Sequence, residues 1–174
     1  MHKKVLWITR TGLFAALLVS LQAVTAPLGN PLVTGSAVNF ILIISVMTCG
    51  FATGTAVAFI SPAAASLFGV GVTSQFPILI PLVGLGNFIL ILLWFLTGNK
   101  KLINQYISYT FALIAGAVCK FLVLYIGSVH IITLFVTLPP PVLTSMSFLQ
   151  LIVALIGGAL AIAVFPILKK AVRR

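Results

Sequence analysis

One lysine and five amide side chains are the candidate solute-binding residues of this chain. Lys120 lies well inside an apolar run, and the amides are Asn30, Asn39, Gln75, Asn87 and Gln150. A lysine at that depth is costly unless it is paired, and the chain contains no Asp or Glu. One interpretation is that Lys120 meets an anionic or strongly accepting group of a ligand. The alternative is that it snorkels to the membrane interface or binds backbone carbonyls.

The amides have two interpretations as well. Asn39 and Asn87 each interrupt a long apolar segment. Within a membrane such a side chain either makes a hydrogen bond between helices or contacts a ligand. The residue types alone do not separate these alternatives.

Several kinds of chemistry are excluded or unsupported. Without Asp and Glu the chain has no carboxylate metal site, no carboxylate acid–base pair and no carboxylate relay for coupled ions. It has no GxxxxGK[ST] loop for ATP. No nucleophile–base pair is evident, so we expect no enzyme activity, no cofactor and no metal. We interpret Cys49 and Cys119 as small core residues and His130 as a surface histidine.

Composition indicates an integral membrane protein. Of 174 residues, 61% are hydrophobic and 6% are charged, and the mean hydropathy is +1.31. Soluble domains carry about a quarter charged residues. We therefore expect a single transmembrane domain over residues 1–174. The net charge of +10 forms no stripe on a soluble module, so nucleic-acid binding is not expected.

The apolar segments predict an all-α protein with six transmembrane helices. The first follows the basic start at 2–10 and runs to about Ala26. The next five are predicted at 37–49, 53–68, 76–96, 103–126 and 146–168. The segments between them with Gly, Pro, Ser and Thr are predicted loops at 26–36, 69–75 and 127–145, and the Pro139–Pro141 triplet is predicted to be non-helical.

The basic residues predict the orientation. They form three clusters, which are Lys3/Lys4/Arg10, Lys100/Lys101 and 169–174, whereas the three loops named above contain no Lys or Arg. Six helices place all three clusters on one side, so we expect cytoplasmic N and C termini. The candidate solute-binding residues then fall in the outer half, which indicates an outward-facing pocket. A cleaved signal peptide ending near Ala26 is an alternative for the first segment and leaves this orientation unchanged.

A stripe of small residues marks the first helix. Gly12, Ala16 and Ser20 recur at every fourth position, a spacing that lets another helix approach closely. The partner helix is either another helix of this chain or a separate protein.

Together, this stripe and one later run of the sequence resemble the substrate-binding (S) component of an energy-coupling factor (ECF) vitamin transporter. The run is SAVNFILIISVMTCGFATGTAVAFISPAAASLFG. The stripe is similar to the AxxxA-type motif of that family's first helix, and the run is similar to its second and third helices. Many members begin the second helix with a His-Ile-Pro-like sequence, where this chain has Ala37, Val38 and Asn39.

The resemblance implies a passive binder in a prokaryotic plasma membrane. It would capture a water-soluble vitamin from outside and dock, through Gly12, Ala16 and Ser20, on a membrane T component driven by two cytosolic ATPases. The first loop would act as a lid. Cobalamin suits the amide-rich lining, and pantothenate suits Lys120. A free-standing small-solute permease and a structural membrane subunit without a ligand are the alternatives.

Overall fold

The computed structural model of the protein describes the backbone of residues 2–98 and 104–172 and the side chains of 4–98 and 104–169. The predicted basic turn at Lys100 and Lys101 lies outside the described residues, as do Arg173 and Arg174. The described part is all-helical and contains no strand, which confirms the all-α part of the predicted fold class.

Eight α-helices occur in the described ranges 2–98 and 104–172. They are α1 (His2–Thr25), α2 (Pro31–Cys49), α3 (Phe51–Leu67), α4 (Val72–Gln75), α5 (Ile80–Leu93), α6 (Gln105–Ile126), α7 (Pro140–Met146) and α8 (Phe148–Val172). Short 3₁₀ or π-helical turns extend several of them. These turns are Ala26–Leu28, Pro77–Leu79, Trp94–Gly98, Gly127–Ile131 and Ile132–Leu134.

Five helical segments of the described chain are long and apolar enough to cross a membrane. They are Lys4–Leu28, Pro31–Cys49, Pro77–Gly98, Gln105–Leu134 and Pro140–Lys169. A sixth apolar helix, α3, has 17 residues and is shorter than these spans. The protein is therefore a multi-pass membrane protein, with a short apolar helix among its long ones.

The predicted loop at 26–36 was wrong, because α2 begins at Pro31. Proline fits the first turn of a helix, where its missing N–H would have no partner in the helix. Asn30 caps this turn, since its side chain accepts a hydrogen bond from the backbone N–H of Leu32 at 3.0 Å. The connection that could act as a lid is thus only a few residues long.

The predicted loop at 127–145 was also largely wrong. The helical path of α6 continues through two short turns to Leu134, and α7 begins at Pro140. The proline triplet was predicted to be non-helical, but Pro140 and Pro141 lie in the first turn of α7, where proline is tolerated. The basic start at 2–10 was predicted to precede the first helix, but it belongs to α1.

Helix α2 lies at the centre of the bundle. It packs against α1, α3, α5 and α8, while α6 packs against α5 and α8. Seven successive α2 residues, Ile41–Met47, are buried, which is the pattern of a helix surrounded on all sides. By contrast α1 makes its main helix contacts with α2 and α3 and exposes most of its apolar side chains.

Glycines let α8 approach α2 closely. A Cβ on Gly157 would lie 2.5 Å from the backbone oxygen of Ser36 and 2.8 Å from Cβ of Asn39. One turn away along each helix, Gly35 of α2 faces Val153 of α8. This contact fixes the α2 backbone next to Asn39, one of the candidate solute-binding residues.

Candidate solute-binding site

A cavity of about 360 Å³ lies at the end of the bundle away from both chain termini. There α1, α3 and α6 end, and α2, α5 and α8 begin, and each of these six helices contributes to its wall. All six candidate solute-binding residues line it. They are Asn30, Asn39, Gln75, Asn87, Lys120 and Gln150.

Lys120 and two asparagines form the floor of the cavity. Nζ of Lys120 donates hydrogen bonds to Oδ1 of Asn39 at 2.6 Å and to Oδ1 of Asn87 at 2.8 Å. All three side chains are at most 2% exposed. Lys120 therefore binds side-chain oxygens from two other helices rather than snorkelling or binding backbone carbonyls, and both asparagines make bonds between helices while facing the cavity.

The orientation of Asn87 follows from a proline in α3. Pro62 has no N–H, so the Ala58 carbonyl one turn earlier lacks its usual helical donor. Nδ2 of Asn87 donates to this oxygen at 3.3 Å. The amide is thereby turned so that Oδ1 faces Lys120.

Asn39 is oriented by its own helix. Its Nδ2 donates to the Gly35 carbonyl at 2.9 Å, one turn back along α2. With the amide nitrogen held there, Oδ1 faces Lys120, and the close approach of Gly157 keeps the backbone in place. The floor is thus positioned before any ligand arrives.

The mouth of the cavity is more open than its floor. Asn30 and Gln75 are exposed, and Gln150 is half-buried. The side-chain Oδ1 of Asn30 caps α2, which leaves its side-chain Nδ2 for other contacts. Gln75 ends the short helix α4, whose segment begins at Gly71, a residue with the positive φ of 69° that glycine accommodates.

Sequence reasoning missed Gln22 of α1, which also lines the cavity. It is 3% exposed, and its Nε2 donates to the Ser61 carbonyl at 3.3 Å. Its Oε1 is buried and has no hydrogen-bond partner among the described residues. Gln22 is an amide inside an apolar helix, as are Asn39 and Asn87, so the same sequence feature could have predicted it.

The cysteines and the histidine do not line the cavity. Cys49 and Cys119 are free and half-buried, so the prediction of core positions was wrong. His130 is exposed, as predicted, and meets the ring of Tyr125 edge-on. No group of three or more His and Cys that could hold a metal ion occurs within 2–98 and 104–172.

The small-residue stripe of α1 faces outward. Gly12, Ala16 and Ser20 are all exposed, and a Cβ on Gly12 would meet nothing within 4 Å. Within the part of the chain that the structure describes, the stripe is therefore not used for helix packing.

The arrangement offers a ligand cationic and amide donors in a floor shielded from water, amide side chains at the rim, and apolar walls between them. This is the composition of a small-molecule binding site. Comparisons with protein-family models, with curated proteins and with solved structures found no match.

Proposed function

We propose that the protein is the substrate-binding (S) component of an ECF-type ABC transporter, which captures a water-soluble vitamin from outside a prokaryotic cell. The observation that carries the proposal is the cavity: residues from six helices converge on one end of the bundle around a buried lysine. Building such a site in a membrane is expensive, which favours a ligand-binding function.

The orientation rests on the basic residues. The start of α1 and the end of α8 lie at the end of the bundle opposite the cavity, and Lys4, Arg10 and Lys169 are exposed at that end. The positive-inside rule makes that end cytoplasmic and directs the cavity outward. In this topology α3 is the sixth span, and at 17 residues it is about 25 Å long.

The proposed partners are a membrane T component and two cytosolic ATPases. The chain has no ATP-binding loop, so concentrating a solute would require an external energy source. The exposed face of α1 with Gly12, Ala16 and Ser20 is the proposed docking surface for the T component. Small side chains permit the close helix–helix contact on which association in a membrane depends.

The size of the cavity favours a small vitamin. A volume of about 360 Å³ falls near the lower end of the range for small-molecule sites, roughly 300–1,000 Å³. Pantothenate fits such a volume, whereas cobalamin is several times larger. Of the two vitamins that the sequence suggests, the smaller one is therefore preferred.

Reconstitution tests this proposal against a free-standing permease. The full chain is placed in liposomes with and without its T component and ATPases, and uptake of the vitamin is followed. We expect uptake only with all partners and ATP. Uptake by the chain alone would contradict the proposal and identify a permease.

A substitution in the stripe tests the docking surface. Ala16→Trp should abolish co-purification with the T component while leaving ligand binding by the isolated protein unchanged. Leu17→Trp is the control, because Leu17 is 49% exposed and lies about 100° round the same helix from Ala16. Equal loss with both variants, or with neither, would contradict docking through the stripe.

A further inference from the structure

The cationic floor of the cavity has no counter-charge. Lys120 is 2% exposed, and its two partners are neutral amide oxygens. The chain contains no Asp or Glu anywhere that could supply a negative charge. A buried ammonium without an anion is costly, and a negatively charged ligand group would remove that cost.

The geometry leaves one N–H of Lys120 for a negatively charged ligand group. An ammonium carries three N–H donors, and the two asparagines accept two of them. No third acceptor occurs among the described residues, and Lys120 lines the cavity. Nδ2 of Asn39 and of Asn87 each give one N–H to a backbone carbonyl, so the third N–H of Lys120 is the charged donor in the floor that remains for a ligand.

A second unmatched group lies on another wall. Oε1 of Gln22 is a buried acceptor without a partner within 4–98 and 104–169, and leaving such a group unpaired is costly. The amide cannot simply be reversed, because its Nε2 donates to the Ser61 carbonyl, which only accepts. Since α1 packs on α2 and α3, whereas α6 packs on α5 and α8, Gln22 and Lys120 reach the cavity from different sides.

We propose that the cavity selects a small monocarboxylate, whose carboxylate accepts a hydrogen bond from Lys120 and whose uncharged part offers a hydroxyl or amide N–H to Oε1 of Gln22. This inference rests on the proposed function, because it names the substrate class of the same site. The ligand thus carries one negative charge at one end and a donor at the other. It also has to fit about 360 Å³.

Matched ligand pairs test the carboxylate on the unaltered full chain. Pantothenate and panthenol, and biotin and biotinamide, differ in whether the end group is a carboxylate or a neutral group. Binding is measured by calorimetry and thermal unfolding in detergent. For at least one pair we expect the carboxylate to bind more tightly by on the order of tenfold to a hundredfold, the range for a hydrogen bond to a charged group.

Two variants test the named residues. Lys120→Met should remove the preference for the carboxylate, while Lys169→Met, an exposed lysine at the other end of the bundle, should retain it. Gln22→Met should lower the affinity for the carboxylate ligand by about tenfold. Gln105→Met is its control, because Gln105 makes the same kind of bond, to the Gly98 carbonyl, far from the cavity.

The outcomes separate this inference from the proposed function. If in both pairs the neutral member binds as tightly as its carboxylate, or if cobalamin binds more tightly than both carboxylates, the monocarboxylate inference is overturned while solute capture stands. If pantothenate and biotin fail to bind and the purified protein carries no small molecule, both fall. A carboxylate preference that survives Lys120→Met in a folded protein overturns the role of Lys120.

Discussion

The two ends of the helix bundle are built from the same helices but are packed differently. At the end near the chain termini, Ile43, Met47, Trp94, Tyr109 and Phe165 enclose no volume that a water molecule could occupy. We call this the packed end. At the cavity end, α1, α2, α3, α5, α6 and α8 diverge around about 360 Å³ and hold Lys120, Asn39, Asn87 and Gln22.

This difference shows how one bundle can combine rigidity with binding. The packed end is held by aromatic contacts, among them the stacked rings of Trp94 and Tyr109 at 6.3 Å and the edge-on contact of Tyr109 with Phe165 at 6.0 Å. The cavity end is held by hydrogen bonds from side chains to other helices. Substitutions at the packed end should therefore change stability alone, and those at the cavity end should change stability and ligand binding together.

The largest loss of stability is expected at the packed end. Trp94 is 1% exposed, and its Nε1 has no acceptor within the described chain, so Trp94→Ala removes packing without removing a hydrogen bond. We expect a loss of about 3–5 kcal/mol in the free energy of unfolding, measured by SDS titration in mixed micelles. Ligand affinity of the folded fraction should stay unchanged.

The matched control for Trp94 is Trp7→Ala, since Trp7 is 44% exposed. It should change stability by no more than about 0.5 kcal/mol. A large change in ligand affinity from Trp94→Ala would show that the two ends are coupled and would break the comparison.

At the cavity end, Asn87→Ala should affect both properties. It removes one acceptor from Lys120 and leaves the Ala58 carbonyl without its donor. We expect a loss of about 1.5–3 kcal/mol in unfolding free energy and a clear loss of ligand affinity. Stability is measured by SDS titration and binding by calorimetry. Lost stability with unchanged binding would show that Asn87 makes only structural hydrogen bonds.

Gly157→Ala tests the helix crossing that positions Asn39. The added Cβ would meet the Ser36 backbone oxygen, which cannot move aside as the end of a flexible side chain could. We expect a loss of about 1–3 kcal/mol in unfolding free energy, and weaker binding because the Asn39 backbone shifts. Gly12→Ala adds the same methyl group where nothing lies within 4 Å, so equal destabilisation by both variants would contradict the close crossing.

The smallest effect is expected from Pro62→Ala. The new N–H can bond to the Ala58 carbonyl and so compete with Nδ2 of Asn87. We expect stability within about 1 kcal/mol of the unaltered protein, but several-fold weaker ligand binding as Asn87 loses its fixed orientation. Unchanged affinity would show that the proline does not orient this amide.

The sequence was sufficient to predict the helical class, the main helices and the set of polar residues that meet at one end. Long apolar segments can only be helices in a bilayer, and alternating chain direction brings alternate helix ends together. Asn39, Asn87 and Lys120 are thereby predicted to lie near one another from the sequence alone. Gln22 was not predicted, although it is also an amide within an apolar helix.

Other features depend on contacts that no local pattern encodes. A proline in the interior of a helix can break it, whereas Pro31 and Pro140 each start a helix here. Which of the two occurs depends on the residues that follow the proline and on how they pack. Lys120 and Asn39 are 81 positions apart, so the partners of the lysine follow only from the packing of α2, α5 and α6. The half-buried positions of Cys49 and Cys119 depend on the same packing.

Native mass spectrometry of the gently purified full chain tests most directly the central claim that the cavity end binds a solute. The account predicts a small molecule that co-purifies with the unaltered protein, carries a carboxylate, and is lost from the Lys120→Met variant but retained by Lys169→Met. A small molecule retained equally by both variants would contradict the role of the cavity floor. An empty protein that also fails to bind pantothenate, biotin and cobalamin would contradict solute capture itself.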